Sequence, residues 1–272
     1  MKKKRLKFRL LAKIILVLLF ILLMVLASLF FLAKATYGKS QQELAKGNLP
    51  EAYRLGQRAI KLNPLAPSYH LTYAQNNILM ANSLALKIKN ADKSDPKIMN
   101  DSAEIQQFIS QGVREARRAV ELSPNNSEYW QKVGDIYLSL HGIVQGSENW
   151  AISSYSKSLE LNPNSPQTHL GLGNAYFAIK SNDLGMAEFE EAIRLKPDYP
   201  NAYFHKSWGL IQMGRLSEAE EVLKIGISFL DKNSDDYQKA MLELSKLLNA
   251  ESLQNESSPS YRIPEIPLIQ LP

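Results

Sequence analysis

Leu159-Glu160-Leu161-Asn162-Pro163 and Ile193-Arg194-Leu195-Lys196-Pro197 are two statements of one phrase, each closed by a proline. Ile60-Lys61-Leu62-Asn63-Pro64 and Val120-Glu121-Leu122-Ser123-Pro124 state it twice more. Each phrase carries apolar residues in a polar background up to a proline, which lacks the N–H needed to continue a helix. Each therefore reads as the last turn of a helix and its stop. The closing prolines stand at 64, 124, 163 and 197, so their spacing shortens along the chain to about 34 residues. A phrase recurring with a period in this range is the mark of stacked helical units, none of which buries its apolar face alone.

Phrase and period together resemble the tetratricopeptide repeat, a helix–turn–helix unit of about 34 residues. In that family the proline closes the unit. Small residues stand twelve and five residues before it and ten residues after it, where helices approach closely. With the register set by the prolines alone, the first of these positions holds Ala52, Gly112, Ala151 and Gly185. The second holds Ala59, Ala119, Ser158 and Ala192, and the third Ala74, Gly134, Gly173 and Ser207. One further period beyond Pro197 puts Asp231 at the closing position, with Ala219 and Gly226 before it. All fourteen are Gly, Ala or Ser, an independent check on the register. Large residues fill the other contact positions: Trp130, Tyr203, Tyr137, Tyr176, Tyr155 and Phe189.

The resemblance implies an all-α fold, a solenoid of about five units over residues 34–231. The second unit is expanded over 67–124, with two elongated helices, Leu71 to Ala91 and Ser102 to Leu122, the latter opened by a capping box of Asp101 and Glu104. A capping helix over 232–252 is expected to turn Tyr237, Ala240, Met241, Leu244, Leu247 and Leu248 to one side. Residues 253–272 contain four prolines and read as an extended tail, apolar enough to dock in the groove or on another protein.

The chain has 32 Lys+Arg against 27 Asp+Glu and a pI near 9.1. That balance is local. The stretch from Met1 to Lys34 holds eight Lys and Arg and no acid, leaving 24 basic against 27 acidic residues beyond it. A nucleic-acid partner is not expected. The basic stretch 1–13 precedes a charge-free run, 14–33, rich in Leu, Ile, Phe and Val. Twenty helical residues span about 30 Å, the thickness of a bilayer's hydrocarbon core. Two readings stand, a transmembrane helix in contact with lipid and a signal peptide cleaved near Ala33-Lys34-Ala35. The length of the run favours the anchor. The excess of Lys and Arg before it places the N-terminus in the cytoplasm and the repeats outside.

No Cys is present, which excludes disulfides, thiolate metal sites and a thiol nucleophile. No helical His pair, phosphate loop or serine-hydrolase elbow occurs, so neither an enzyme nor a cofactor is expected. His169 reads as a packing histidine, and Glu188, Glu190, Glu191, Glu218, Glu220 and Glu221 as a solvated face. The resemblance implies a concave groove lined by the first helix of each unit. Its residues here are Gln131, Asp135, Leu170, Asn174, Phe177, Phe204, Trp208 and Ile211, with Glu128, Leu138, Gln167 and Asn201 beside them. The Lys/Arg clamp with which chaperone-binding members hold a terminal carboxylate is not matched. The expected role is a scaffold or adaptor for envelope or membrane proteins of a bacterium. Three other roles remain open: partnership in envelope polysaccharide assembly beside O-antigen-ligase-type proteins, maturation of envelope proteins as in cytochrome assembly or at a translocon, and service as a eukaryotic organelle receptor.

Overall fold

The computed structural model describes residues 2–89 and 97–256. The turn-rich stretch 92–97 between the two elongated helices expected in the second repeat, Asp-Lys-Ser-Asp-Pro-Lys, lies almost wholly outside that range, as does the tail from 257. The described residues form eleven α-helices and no strand, in two compact units that divide after Pro124.

The first unit contains α1 (Lys2–Ala45), α2 (Leu49–Leu62), α3 (Pro67–Lys89) and α4 (Lys97–Leu122). Helix α1 runs through the apolar segment and into the first repeat without a break. Its large side chains from Ile14 to Phe31 are exposed, whereas Ala33, Thr36 and Ser40 are buried by what packs on them. The helix ends at Gly47, whose φ of +76° suits glycine. There the Gly47 and Asn48 N–H groups donate to the carbonyls of Leu44 and Glu43, which closes the last turn. The Ser40 hydroxyl donates to the Ala52 carbonyl at 2.7 Å, joining α1 to α2. Tyr37 stacks on Tyr69 at 4.5 Å. Helix α4 begins earlier than expected, so Asp101 lies inside it and not at its N-cap.

The second unit contains α5 (Ser127–Leu138), α6 (Ser147–Leu161), α7 (Pro166–Ala178), α8 (Asn182–Leu195), α9 (Pro200–Gln212), α10 (Leu216–Ser228) and α11 (Asp235–Glu256). Asn126 and Ser165 cap α5 and α7, each side-chain oxygen accepting an N–H of the first turn. Pro166 and Pro200 occupy first-turn positions that need no N–H donor. Each helix packs on its chain neighbours, and α7 also meets α5 and α9. That nearest-neighbour pattern is the expected all-α solenoid.

The fourteen small positions are all buried. The crossing of α7 and α8 shows why they must be small. A Cβ on Gly173 would sit 3.0 Å from the Gly185 carbonyl, and one on Gly185 would sit 2.9 Å from the Gly173 carbonyl. The backbones touch, and the rings of Phe177 and Phe189 stack alongside at 5.5 Å. Helix α11 covers the end of this core with Ala240, Leu244 and Leu247. Its buried stripe is narrower than expected, because Met241 and Leu248 face away at 39 % and 42 % exposure. The helix also runs to Glu256, four residues into the stretch expected to be extended.

Candidate functional site

The first helices of the repeats in the second unit, α5, α7 and α9, line a groove of about 890 Å³. Successive units present corresponding helical positions to it. Of the residues expected there, Asp135, Leu170, Asn174, Phe177 and Trp208 line it. Leu170 and Phe177 are 5 % exposed each, so their main contacts are with the core. The remaining three expected residues lie elsewhere. Gln131 is engaged by the Thr168 hydroxyl, which donates to its Oε1 at 3.2 Å. Ile211 is buried in the apolar cluster to which α11 contributes, and Phe204 packs against that cluster. Gln167 and Asn201 also line the groove, and so do Tyr155, Lys180, Tyr199, His205 and Gln212.

The lining mixes aromatic and apolar side chains with amides, Asp135 and Lys180. Asp135 is open to the groove, yet the surrounding walls raise its carboxyl above the ordinary carboxylate range. A bond from the Tyr155 hydroxyl at 2.7 Å and nearby Lys132 oppose that shift. The Tyr155 ring fits there because Gly134 and Gly171 flank it; a Cβ on Gly171 would lie 2.5 Å from its Cε1. Burial pushes the His205 imidazole down to about 4, so it is neutral at ordinary pH. Two buried polar atoms, Asn174 Oδ1 and His205 Nδ1, have no hydrogen-bond partner in the protein. Leaving such atoms unpaired costs about 1–3 kcal/mol each. Trp208 stands beside them, its ring edge-on to Phe177 at 5.0 Å. Among the described residues no group of three His, Cys, Asp or Glu is placed to hold a metal.

A second feature recurs along the repeats. The residue six places after a closing proline reaches back to that proline's carbonyl. His70 Nε2 donates to the Pro64 oxygen at 2.9 Å, His169 Nε2 to that of Pro163 at 3.0 Å, and the Tyr203 hydroxyl to that of Pro197 at 2.8 Å. Both histidines also bond a glutamate of the following helix through Nδ1, His70 to Glu115 at 2.7 Å and His169 to Glu188 at 2.6 Å. Glu188 is thus a structural partner and not part of a free acidic face.

Family models for the tetratricopeptide repeat match residues 145–180 and 166–199, the pairs α6–α7 and α7–α8 described above. Residues 145–199 thus carry tetratricopeptide repeats. Small glutamine-rich tetratricopeptide repeat-containing protein 2 of Mycosarcoma maydis is 29 % identical over 105 residues, 39 % of this chain and 30 % of that protein. The chain thus matches less than a third of that relative's length. A thermophilic tetratricopeptide-repeat protein of Thermus thermophilus superposes with a TM-score of 0.59 at 18 % identity, over 80 % of this chain and 99 % of the other. A MamA fragment of Desulfovibrio magneticus gives 0.51 at 16 % identity, over 72 % and 94 %. Likeness at these identities concerns the repeat fold alone.

Proposed function

We propose that this chain is a non-catalytic adaptor, anchored in a bacterial membrane by residues 14–33, whose C-terminal groove holds an extended segment of another envelope or membrane protein. The observation that carries the reading is the pair of buried, unpartnered atoms on the groove floor, Asn174 Oδ1 and His205 Nδ1, next to the Trp208 ring. A peptide backbone offers N–H and C=O groups to such atoms, and an apolar side chain fills the space against the indole. Burying an aromatic anchor amid satisfied polar groups is how interfaces concentrate their energy. The neutral His205 and the lack of paired cations favour an internal segment over a free C-terminal carboxylate. Anchoring is supported by the exposed apolar length of α1, which is long enough to cross a bilayer.

The test is photocrosslinking in native membranes. A photoreactive side chain at Gln212, on the groove, should capture a defined partner, and one at Lys224, on α10 outside the groove, should not. Trp208→Ala should weaken capture by about 30-fold, the cost of about 2 kcal/mol expected of an aromatic anchor. Equal capture from both positions, or capture indifferent to Trp208→Ala, sinks the groove as the binding site.

A further inference from the structure

We infer that the end of the first unit nearest the apolar segment is a lipid-binding surface that lies on the acidic phospholipid headgroups of the membrane spanned by α1. The inference rests on the reading of residues 14–33 as a membrane span.

The height of this surface is set by contacts along α1. The charge-free run ends at Ala33, and Ala33 is buried completely against Ala59 near the end of α2 and Tyr69 at the start of α3. Because α1 is one continuous helix, the unit cannot be raised from that level by a linker. The turn joining α2 to α3 therefore sits where hydrocarbon gives way to headgroups. Leu65, at the tip of that turn, is 71 % exposed, the highest exposure of any large apolar side chain described. An apolar side chain at that depth has lipid to enter.

The charges at the same level are basic. Lys34 on α1, Arg58 and Lys61 in the last two turns of α2, and Arg117 near the end of α4 are exposed and form no ion pair among the described residues. Arg117 and Arg118 share an open notch with Ile60, which puts the end of α4 beside the end of α2. The acids nearby are already engaged: Glu115 by His70 and Arg114, and Glu121 by Arg118. At the other end of α2 the charges are paired, Glu51 with Arg54 and Glu43 with Lys46. Residues 35–124 carry 12 Lys+Arg against 8 Asp+Glu, whereas residues 125–272 carry 12 against 19. The repeats as a whole are mildly acidic, so a basic cluster at the level of the headgroups is a local feature that the overall charge conceals. Basic residues held at an acidic bilayer surface strengthen attachment about fivefold each.

The chain has no Cys, so a single introduced thiol carries one fluorophore. The full chain would be reconstituted into phosphatidylcholine vesicles with or without phosphatidylglycerol, containing lipids spin-labelled at the headgroup or along the acyl chain. Three positions report: Leu22→Cys in the apolar run, Leu65→Cys, and Lys46→Cys at the far end of α1. The Leu22 label should be quenched from the acyl chain in both vesicles. The Leu65 label should be quenched at headgroup depth, several-fold more with phosphatidylglycerol, while the Lys46 label is not. Charge reversal by Lys61→Glu, Arg117→Glu and Arg118→Glu should abolish the phosphatidylglycerol increment at Leu65. Quenching at Leu22 with none at Leu65 overturns the surface and leaves the anchor standing. No quenching at Leu22 overturns the anchor itself. Quenching at Leu65 that ignores both phosphatidylglycerol and charge reversal overturns the assignment to acidic headgroups.

Discussion

Residue by residue, the first helices α1, α7 and α9 end on left-handed positions, and one of these is occupied by a side chain that does not suit it. Gly47 and Gly214 end α1 and α9 with φ near +77°, and Lys180 ends α7 with φ of +64°. The geometry is shared. Lys180 and Ser181 donate to the carbonyls of Phe177 and Tyr176, as Gly214 and Arg215 donate to those of Ile211 and Leu210. A Cβ in this conformation crowds the following carbonyl at a cost of about 1–2 kcal/mol, offset in part by the greater freedom of glycine in the unfolded chain. Lys180→Gly is therefore expected to stabilise the second unit by roughly 0.5–1 kcal/mol. Thermal melting of the full chain in detergent checks it. A melting temperature unchanged or lowered, with Lys180→Ala indistinguishable from Lys180→Gly, would mean that the strain has been relieved some other way.

Among the helices, close approach decides where substitution is tolerated. Gly185→Ala places a Cβ on the Gly173 carbonyl and against the Phe177 ring, both in fully packed surroundings. The crossing of α7 and α8 must open, at about 1–3 kcal/mol. Gly38 lies inside α1 with nothing within 4 Å of where its Cβ would be, so Gly38→Ala should add about 0.5–1 kcal/mol through helix propensity alone. Opposite shifts in melting temperature for the same chemical change are expected; shifts of one sign refute the packing account. The requirement for small residues is what made the fold legible. A backbone contact leaves a trace in the sequence that no other residue type can supply, and all fourteen positions read from the proline register are buried. The groove was legible only in direction. Repeat register says which residues point inward, but not which remain open once neighbours are added. Gln131 is taken by Thr168, and Ile211 lies in the cluster that α11 completes, so neither was decided by its own repeat. The histidine tethers also leave a signal in the sequence. In the units where His stands six places after proline, Glu stands three places after the small residue of the second helix, as Gly112–Glu115 and Gly185–Glu188. Where Tyr203 takes the place of His, the matching residue is Val222.

Across the whole molecule, three histidines give stability a pH optimum. His70 and His169 each face two acceptors, a carboxylate at Nδ1 and a carbonyl at Nε2. Only the protonated ring can donate to both. Burial opposes that charge, but Glu115 with the Pro64 carbonyl, and Glu188 with the Pro163 carbonyl and Glu191, outweigh it. Both histidines therefore titrate above the ordinary imidazole value of 6.5, despite Arg118 near His70. A raised folded value means that stabilisation is complete below about 6.5 and is lost as the pH rises through the raised value. His205 has the opposite sign. Burial holds it near 4, so the unfolded chain takes up its proton first, and as much as ~3 kcal/mol is lost as the pH falls from 6.5 toward 4. Glu115, held below its usual 4.5 by His70 first, weakens only further into acid, as the pH falls through its lowered value. The melting temperature of the full chain in detergent should therefore peak near pH 6.5 and decline on both sides. The limbs have separate owners and can be removed separately. His70→Gln with His169→Gln should flatten the alkaline limb and leave the acid one, and His205→Leu should flatten the acid limb alone. If the double variant keeps the full alkaline decline, the tethers do not carry charge in the folded state, and the two short bonds at each ring must be accounted for with neutral imidazole.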